Sequence, residues 1–351
     1  MKPYFIRVAE QSPTMFWINN PTRTQADIAI GHGALGCTNN PSYTQKMLDH
    51  PEDGAYAHKV LDEILKDTED DRRAAVLFQQ KMVKPIADKF RPMYESSGGR
   101  HGYVSIQGDP FEDEDTELII RDSLENREIG PNICCKIPTT EAGIAAMGEL
   151  IPHRTPLNAT EIFAVNQMVT ICEEYEKLAH KSGQWPMFYM SHIAGIYDDF
   201  FGNYVKTHDV QISPDVLWQA GLAVARKVYK LMLERGYHAT FIGGGARGLH
   251  HFTEMVGGRV CLTINWEGTA DKLIEQNPPV VYRLFNPVPK KVIDELMEKL
   301  PDFKRGYLDE GLSVEEFADF GPVQLFRSSF MKSWQRVLDI VKERRATLQK
   351  A

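Results

Sequence analysis

Lys136 stands where an apolar strand should be packing a core. The stretch NICCKIPTTEAG, residues 132–143, runs from Asn132 through Ile133, Cys134 and Cys135 into the lysine. Ile137 and Pro138 close the run, and two threonines lead into a helix start. An ammonium group at that place either snorkels to solvent along its stem or stays desolvated. Desolvation penalises the charged form, lowers the pKa and leaves a free amine. A free amine attacks a carbonyl to form a Schiff base, and the iminium is an electron sink for carbon–carbon bond cleavage. The lysine supplies that sink itself, so no metal or organic cofactor is expected.

Other polar residues gather at the ends of apolar runs. They are Asn19 and Asn20, Thr38 with Asn39 and Asn40, Gln107 with Asp109, Asn158 with Thr160, and Ser191 with His192. One such residue would be a cap; several together imply a polar pocket. FIGGGARGLHHF, residues 241–252, adds glycines whose N–H groups can approach an anion, and Arg247 adds a charged fork. His250 and His251 are adjacent, which is poor geometry for one metal ion, and His32, His101 and His192 are isolated; no metal site is expected. Asp198 and Asp199 are expected to cap or salt-bridge the helix they begin.

The elements that must position these residues alternate. Eight short apolar or β-branched runs read as strands: 15–19, 33–38, 102–107, 132–137, 156–163, 186–191, 238–243 and 258–264. Helical patterns lie between them, among them TEAGIAAMGELI, AVNQMVTICEEYEKLAHK and PDVLWQAGLAVARKVYKLMLERG. This predicts an α/β fold, a parallel (β/α)8 TIM barrel with catalytic residues at the C-terminal strand ends. A doubly wound open sheet is the alternative, but the turn after its first strand, INNPTRT, lacks the glycine fingerprint. A single domain is expected over 1–351, with 42–99 a helical insertion after the second strand and 281–351 a helical extension packing outside the barrel.

Composition sets outer limits. The chain has 351 residues, a formal net charge of −8 and no long basic run, so a nucleic-acid footprint is not expected. The acidic run PFEDEDTE, 110–117, reads as a solvated loop or helix start. The five cysteines show no zinc spacing, and adjacent Cys134 and Cys135 must point to opposite faces of a strand. They read as reduced thiols of a cytoplasmic protein. No signal-peptide pattern opens the chain, and no apolar stretch of membrane-spanning length occurs.

Taken in order, the motifs resemble the transaldolase family of class I aldolases. GALGCTNNPSY resembles its second-strand motif Gly-x-Thr-Thr-Asn-Pro-Ser, and GYVSIQGDPF its third-strand Val-Ser-x-Glu-Val-Asp. NICCKIPTTEAGIAA resembles the lysine motif Lys-Ile-Pro-x-Thr-x-x-Gly, and PLNATEIFAVNQ resembles Asn-x-Thr-x-x-Phe-x-x-x-Gln. SHIAGIYDD stands at the family's Ser-Pro-Phe-x-Gly-Arg, and GLSVEEFADFGPVQLFRSSF resembles the helical tail of longer members. The resemblance runs from about Met15 to Phe330. It implies Lys136 as Schiff-base lysine, Asn40, Asn158 and Thr160 around substrate and catalytic water, Thr38 and Ser191 in the pocket, and Arg247 on a phosphate.

The departures are specific. The first-strand aspartate is Asn19 or Asn20, the third-strand glutamate is Gln107, the sixth-strand arginine is Ile196, and the serine beside Arg247 is Gly245. An amide cannot take a proton as a carboxylate does. Asp109, Tyr197, His192, Glu161 or a bound water remain open as proton-transfer groups. The catalytic set expected is thus Lys136, Asn19, Gln107, Asp109 and Thr160. The substrate-binding set is Asn40, Thr38, Asn158, Ser191 and Arg247. The resemblance implies an enzyme that cleaves or forms a carbon–carbon bond on a ketose or ketose phosphate, and a homodimer is the expected assembly. The competing reading is a regulatory barrel that binds a sugar-like ligand without turnover.

Overall fold

The computed structural model describes residues 2–349. Eight strands close in chain order into one barrel: β1 (Met15–Asn19), β2 (Ala34–Asn39), β3 (Tyr103–Gln107), β4 (Ile133–Pro138), β5 (Leu157–Ile162), β6 (Phe188–His192), β7 (Thr240–Gly243) and β8 (Val260–Ile264). Every neighbouring pair is parallel, and β1 pairs with β8. The expected TIM barrel is therefore the fold, and the open-sheet alternative falls because no strand is left as an edge.

Strand alternation decides what points inward. Cys134 joins Trp17, Tyr103, Tyr189, Ile242 and Cys261 in a cluster of their own, apart from the large core under the helices. Cys135, one residue on, joins that large core, and its Sγ donates to the Ser123 carbonyl at 3.1 Å. Trp17 lies so close over Gly36 that a Cβ there would stand 2.3 Å from its ring. This apolar plug fills one level of the barrel. Two residues further along come Asn19, Thr38, Ser105, Lys136, Ser191 and Thr263 on the same strands, and Gly244 just past the end of β7. The polar level thus begins where the plug ends.

Three helices, Ser42–Asp49, Gly54–Asp67 and Asp71–Ser96, occupy the segment between β2 and β3. The pattern read as one helix before β7 is two, Pro214–Leu217 and Ala220–Arg235. Gly221 sets the second against the Ala194 carbonyl, where a Cβ would stand 2.2 Å from the oxygen. The C-terminal helix Gly321–Leu348 packs on helices Ser42–Asp49, Gly54–Asp67, Asp71–Ser96 and Ile196–Thr207 and reaches over the barrel mouth. It buries Val323, Phe326, Phe330, Trp334, Val337 and Val341, a stripe at spacings of three and four. Phe326, Ser329 and Phe330 line the cavity at the barrel mouth. Among the described residues, no helix is long and apolar enough to cross a membrane.

Candidate active site

Lys136 is held in place by the sequence that follows it. Thr140 caps helix Glu141–Leu150, its hydroxyl accepting the Gly143 N–H at 3.1 Å. Gly143 is needed because a Cβ there would lie 1.9 Å from the Pro138 carbonyl oxygen. The chain therefore turns directly off β4, and Lys136 sits in register between Gln107 and Asn158. Its residue is 6% exposed, and its Nζ donates to Asn40 Oδ1 at 2.7 Å. Burial pushes its pKa down to about 8, against the pull of nearby Glu161 and Asp113. Relative to an ordinary lysine, that raises the free-amine fraction at neutral pH roughly 300-fold.

Amides and hydroxyls link the lysine to the opposite wall. Asn19 Oδ1 accepts from Asn40 Nδ2 at 2.9 Å and from the Thr38 hydroxyl at 2.7 Å. Asn19 Nδ2 donates to Asn265 Oδ1 at 2.8 Å, and Thr38 also meets the Thr263 hydroxyl at 2.7 Å. Asn19 rather than Asn20 thus occupies the network; Asn20, at φ 44°, accepts the Asn40 backbone N–H instead. On the other side, Ser191 Oγ donates to Asn158 Oδ1 at 2.7 Å, and Asn158 Nδ2 donates to Ser105 Oγ at 3.0 Å.

These groups surround a cavity of about 210 Å³. Of the expected residues, Asn19, Thr38, Asn40, Lys136, Ser191 and Arg247 line it. Asn158, Gln107 and Thr160 do not; they are buried in the wall. Asp109 faces away from the cavity, its Oδ1 accepting the Phe111 N–H at 2.9 Å. Thr263, Asn265 and Phe330 belong to the lining but were not singled out from sequence. The alternation continuing from Cys261 would have found the first two, whereas Phe330 arrives from a helix far along the chain.

Arg247 does not reach into the cavity as a free cation. Its Nε and terminal nitrogen hold Asp199 Oδ2 at 2.8 and 2.7 Å, and another nitrogen donates to the Gly245 carbonyl at 2.8 Å. Asp199 therefore salt-bridges, as one of its two expected roles, but to the loop after β7. Ile193 and Ile196 make an apolar wall beside it. His250 and His251 also depart from expectation. Their ring nitrogens and the Asp198 carboxylate lie within 4.8 Å of one another, because the short helix His250–Thr253 turns both rings to one side. His251 Nδ1 accepts the Arg247 N–H at 3.3 Å, so in the neutral ring Nε2 carries the proton and faces Asp198 at 3.6 Å. That is the protonation of a hydrogen-bonding side chain rather than a metal ligand.

The acidic run 110–117, expected as a solvated loop or helix start, does start a helix. Asp115 caps helix Thr116–Arg127. Asp113 is buried beside Glu161 of β5.

A family model described as "Transaldolase/Fructose-6-phosphate aldolase" matches residues 17–336. Among curated relatives, "Transaldolase 1" of Streptomyces avermitilis is 29% identical over 167 residues, 45% of this chain and 43% of that protein. "Transaldolase" of Mycobacterium ulcerans is 30% identical over 152 residues, 43% of this chain and 40% of its own. The chain thus spans less than half the length of the curated relatives it matches. The family match covers both the buried lysine of β4 and the polar strand ends around it, and the chain belongs to the transaldolase/fructose-6-phosphate aldolase family.

Proposed function

We propose that this protein is a transaldolase-type enzyme that forms a Schiff base through Lys136 and cleaves or forms a carbon–carbon bond on a ketose or ketose phosphate. One observation carries the reading: a lysine of lowered pKa, buried in the barrel wall, points its amine into a polar cavity of sugar-binding size. Asn40 orients the amine, while Asn19, Thr38 and Ser191 offer hydroxyl and amide partners to a polyol. The iminium withdraws electrons as the adjacent carbon–carbon bond breaks. The retained dihydroxyacetone unit then passes to an aldehyde, as in a transaldolase, or leaves after hydrolysis, as in an aldolase. Five buried, unpaired cysteines support a reducing, cytoplasmic location.

A ligand-binding barrel without turnover is the second reading, favoured by the amides at Asn19 and Gln107. Borohydride trapping decides between them. The protein is incubated with fructose 6-phosphate, dihydroxyacetone or unphosphorylated ketoses, then reduced and mapped by mass. A stable adduct on Lys136, absent from Lys136→Ala, is the expected result. Folded wild-type protein that binds a ketose without any adduct would establish the binding role instead.

A further inference from the structure

Iminium formation needs a group that removes a proton from the ammonium and later returns one. Lys136 has a second side, away from the substrate cavity. There it lines a separate cavity of about 20 Å³ together with Asp109, Asp113 and Pro138. That volume has room for one water. Asp113 in turn lies buried beside Glu161, and each leaves one carboxyl oxygen, Asp113 Oδ2 and Glu161 Oε2, without a hydrogen-bond partner; two such carboxyl groups side by side hold a proton between them. Glu161 is 0% exposed, and its Oε1 accepts from Gln107 Nε2 at 3.4 Å. The strand register slips between Ala159 and Ile162, where Glu161 has φ 66°. This bulge brings Glu161 to an inward-facing side chain, at a backbone cost that non-glycine residues rarely bear.

The other groups open from sequence are engaged elsewhere. Tyr197 donates its hydroxyl to the Phe163 carbonyl. His192 lies among Phe241 and Tyr197, off the substrate cavity. Asp109 shares the small cavity, but its carboxylate is turned to its own loop.

We propose that Glu161 and Asp113 together form the proton store of Lys136, reached through a single water in the small cavity. The ammonium gives a proton to the water, the water gives one to Asp113, and Asp113 passes the proton it already held on to Glu161. The free amine adds to the carbonyl carbon, and a proton shift from nitrogen to oxygen gives the neutral carbinolamine. The store then returns its proton to the carbinolamine hydroxyl, which leaves as water. The sum is ammonium plus ketone giving iminium plus water, with no change of oxidation state. Glu161 and Asp113 act through the relay and are positioning residues.

Charge around the pair is consistent with this role. Glu161 faces Lys136 of β4, Asp113, and Arg327 of the C-terminal helix at 4.0 Å; Arg327 also pairs with Glu114 at 2.7 Å. Burial raises the Glu161 pKa to about 7, where a carboxyl can both accept and return a proton near neutral pH.

The proposal rests on Schiff-base chemistry at Lys136, and its test separates the two. The trapping rate is measured against pH in wild type, Glu161→Gln and Asp113→Asn, each checked for folding by near-UV circular dichroism. Both variants are expected to trap roughly 100-fold more slowly and to lose the limb near pH 7. Independently, the pKa of Lys136 is read from its acylation by acetic anhydride. It should fall in Glu161→Gln, which removes a neighbouring negative charge. Wild-type trapping rates and an unchanged Lys136 pKa would reduce the pair to an anchor for Arg327. If wild type forms no adduct, the Schiff-base reading fails, and a Lys136 pKa unmoved in Glu161→Gln would sink the proton store as well.

Discussion

Asn40 and Arg247 show how the same cavity treats its two cations differently. The Lys136 ammonium meets only a neutral amide within 3 Å, so desolvation dominates its pKa. Arg247 is already paired with Asp199, so an incoming phosphate would compete with a carboxylate for the same nitrogens. Ile196, where related motifs place an arginine, offers no second cation. Asp199→Asn should therefore lower the Michaelis constant for a phosphorylated ketose while leaving that for its unphosphorylated counterpart nearly unchanged. Steady-state kinetics with the two donors would check this. Equal effects on both would mean that the pair only shapes the loop.

At the scale of elements, the barrel interior is built in levels, and the lower level supports the upper. Trp17 of β1 fills the space that Gly36 of β2 leaves open. Gly36→Ala forces a methyl into the ring, and overpacking of this kind costs about 1–3 kcal/mol. Thr38 and Asn19 lie two residues beyond those positions on the same strands. The substitution should thus lower the denaturant midpoint and also slow trapping on Lys136. A variant destabilised but trapping at the wild-type rate would show the two levels to be independent. The C-terminal helix acts from the opposite direction, bringing Phe330 over the lysine and Arg327 to the buried carboxylates.

For the whole molecule, we propose that barrel, inserted helices and C-terminal helix fold as one unit. Arg344 of that helix pairs with Asp62, and Arg345 with Asp71, both in the helices between β2 and β3. The buried carboxyl cluster then links stability to pH. The folded-state pKa of Glu161, about 7, lies above its unfolded value of 4.5. Its favourable contribution is present below pH 4.5 and is lost as the pH rises through 7. Glu161→Gln removes this titration. The variant should therefore gain stability relative to wild type between pH 5 and 8, by on the order of 3 kcal/mol. Urea unfolding at the two pH values would measure it, and a constant difference would contradict the raised pKa.

The sequence by itself determined the strand order, the inward face of each strand and the place of Lys136. Those follow from local periodicity: Cys134 and Lys136 must share a face, and Cys135 must not. It also determined that Asn19 and Gln107 are amides, whatever surrounds them. Tertiary structure decided what no local pattern carries. Asp113, in a run that looks solvated, is buried because Glu161 and Arg327 converge on it from 48 and 214 positions away in the chain. Arg247 is neutralised because Asp199 follows a different strand. The tail reaches the site because its helix packs on the helices between β2 and β3 and on helix Ile196–Thr207, which carries Phe326 and Phe330 to the cavity. Charge and burial depend on which distant groups meet, and barrel closure sets those meetings.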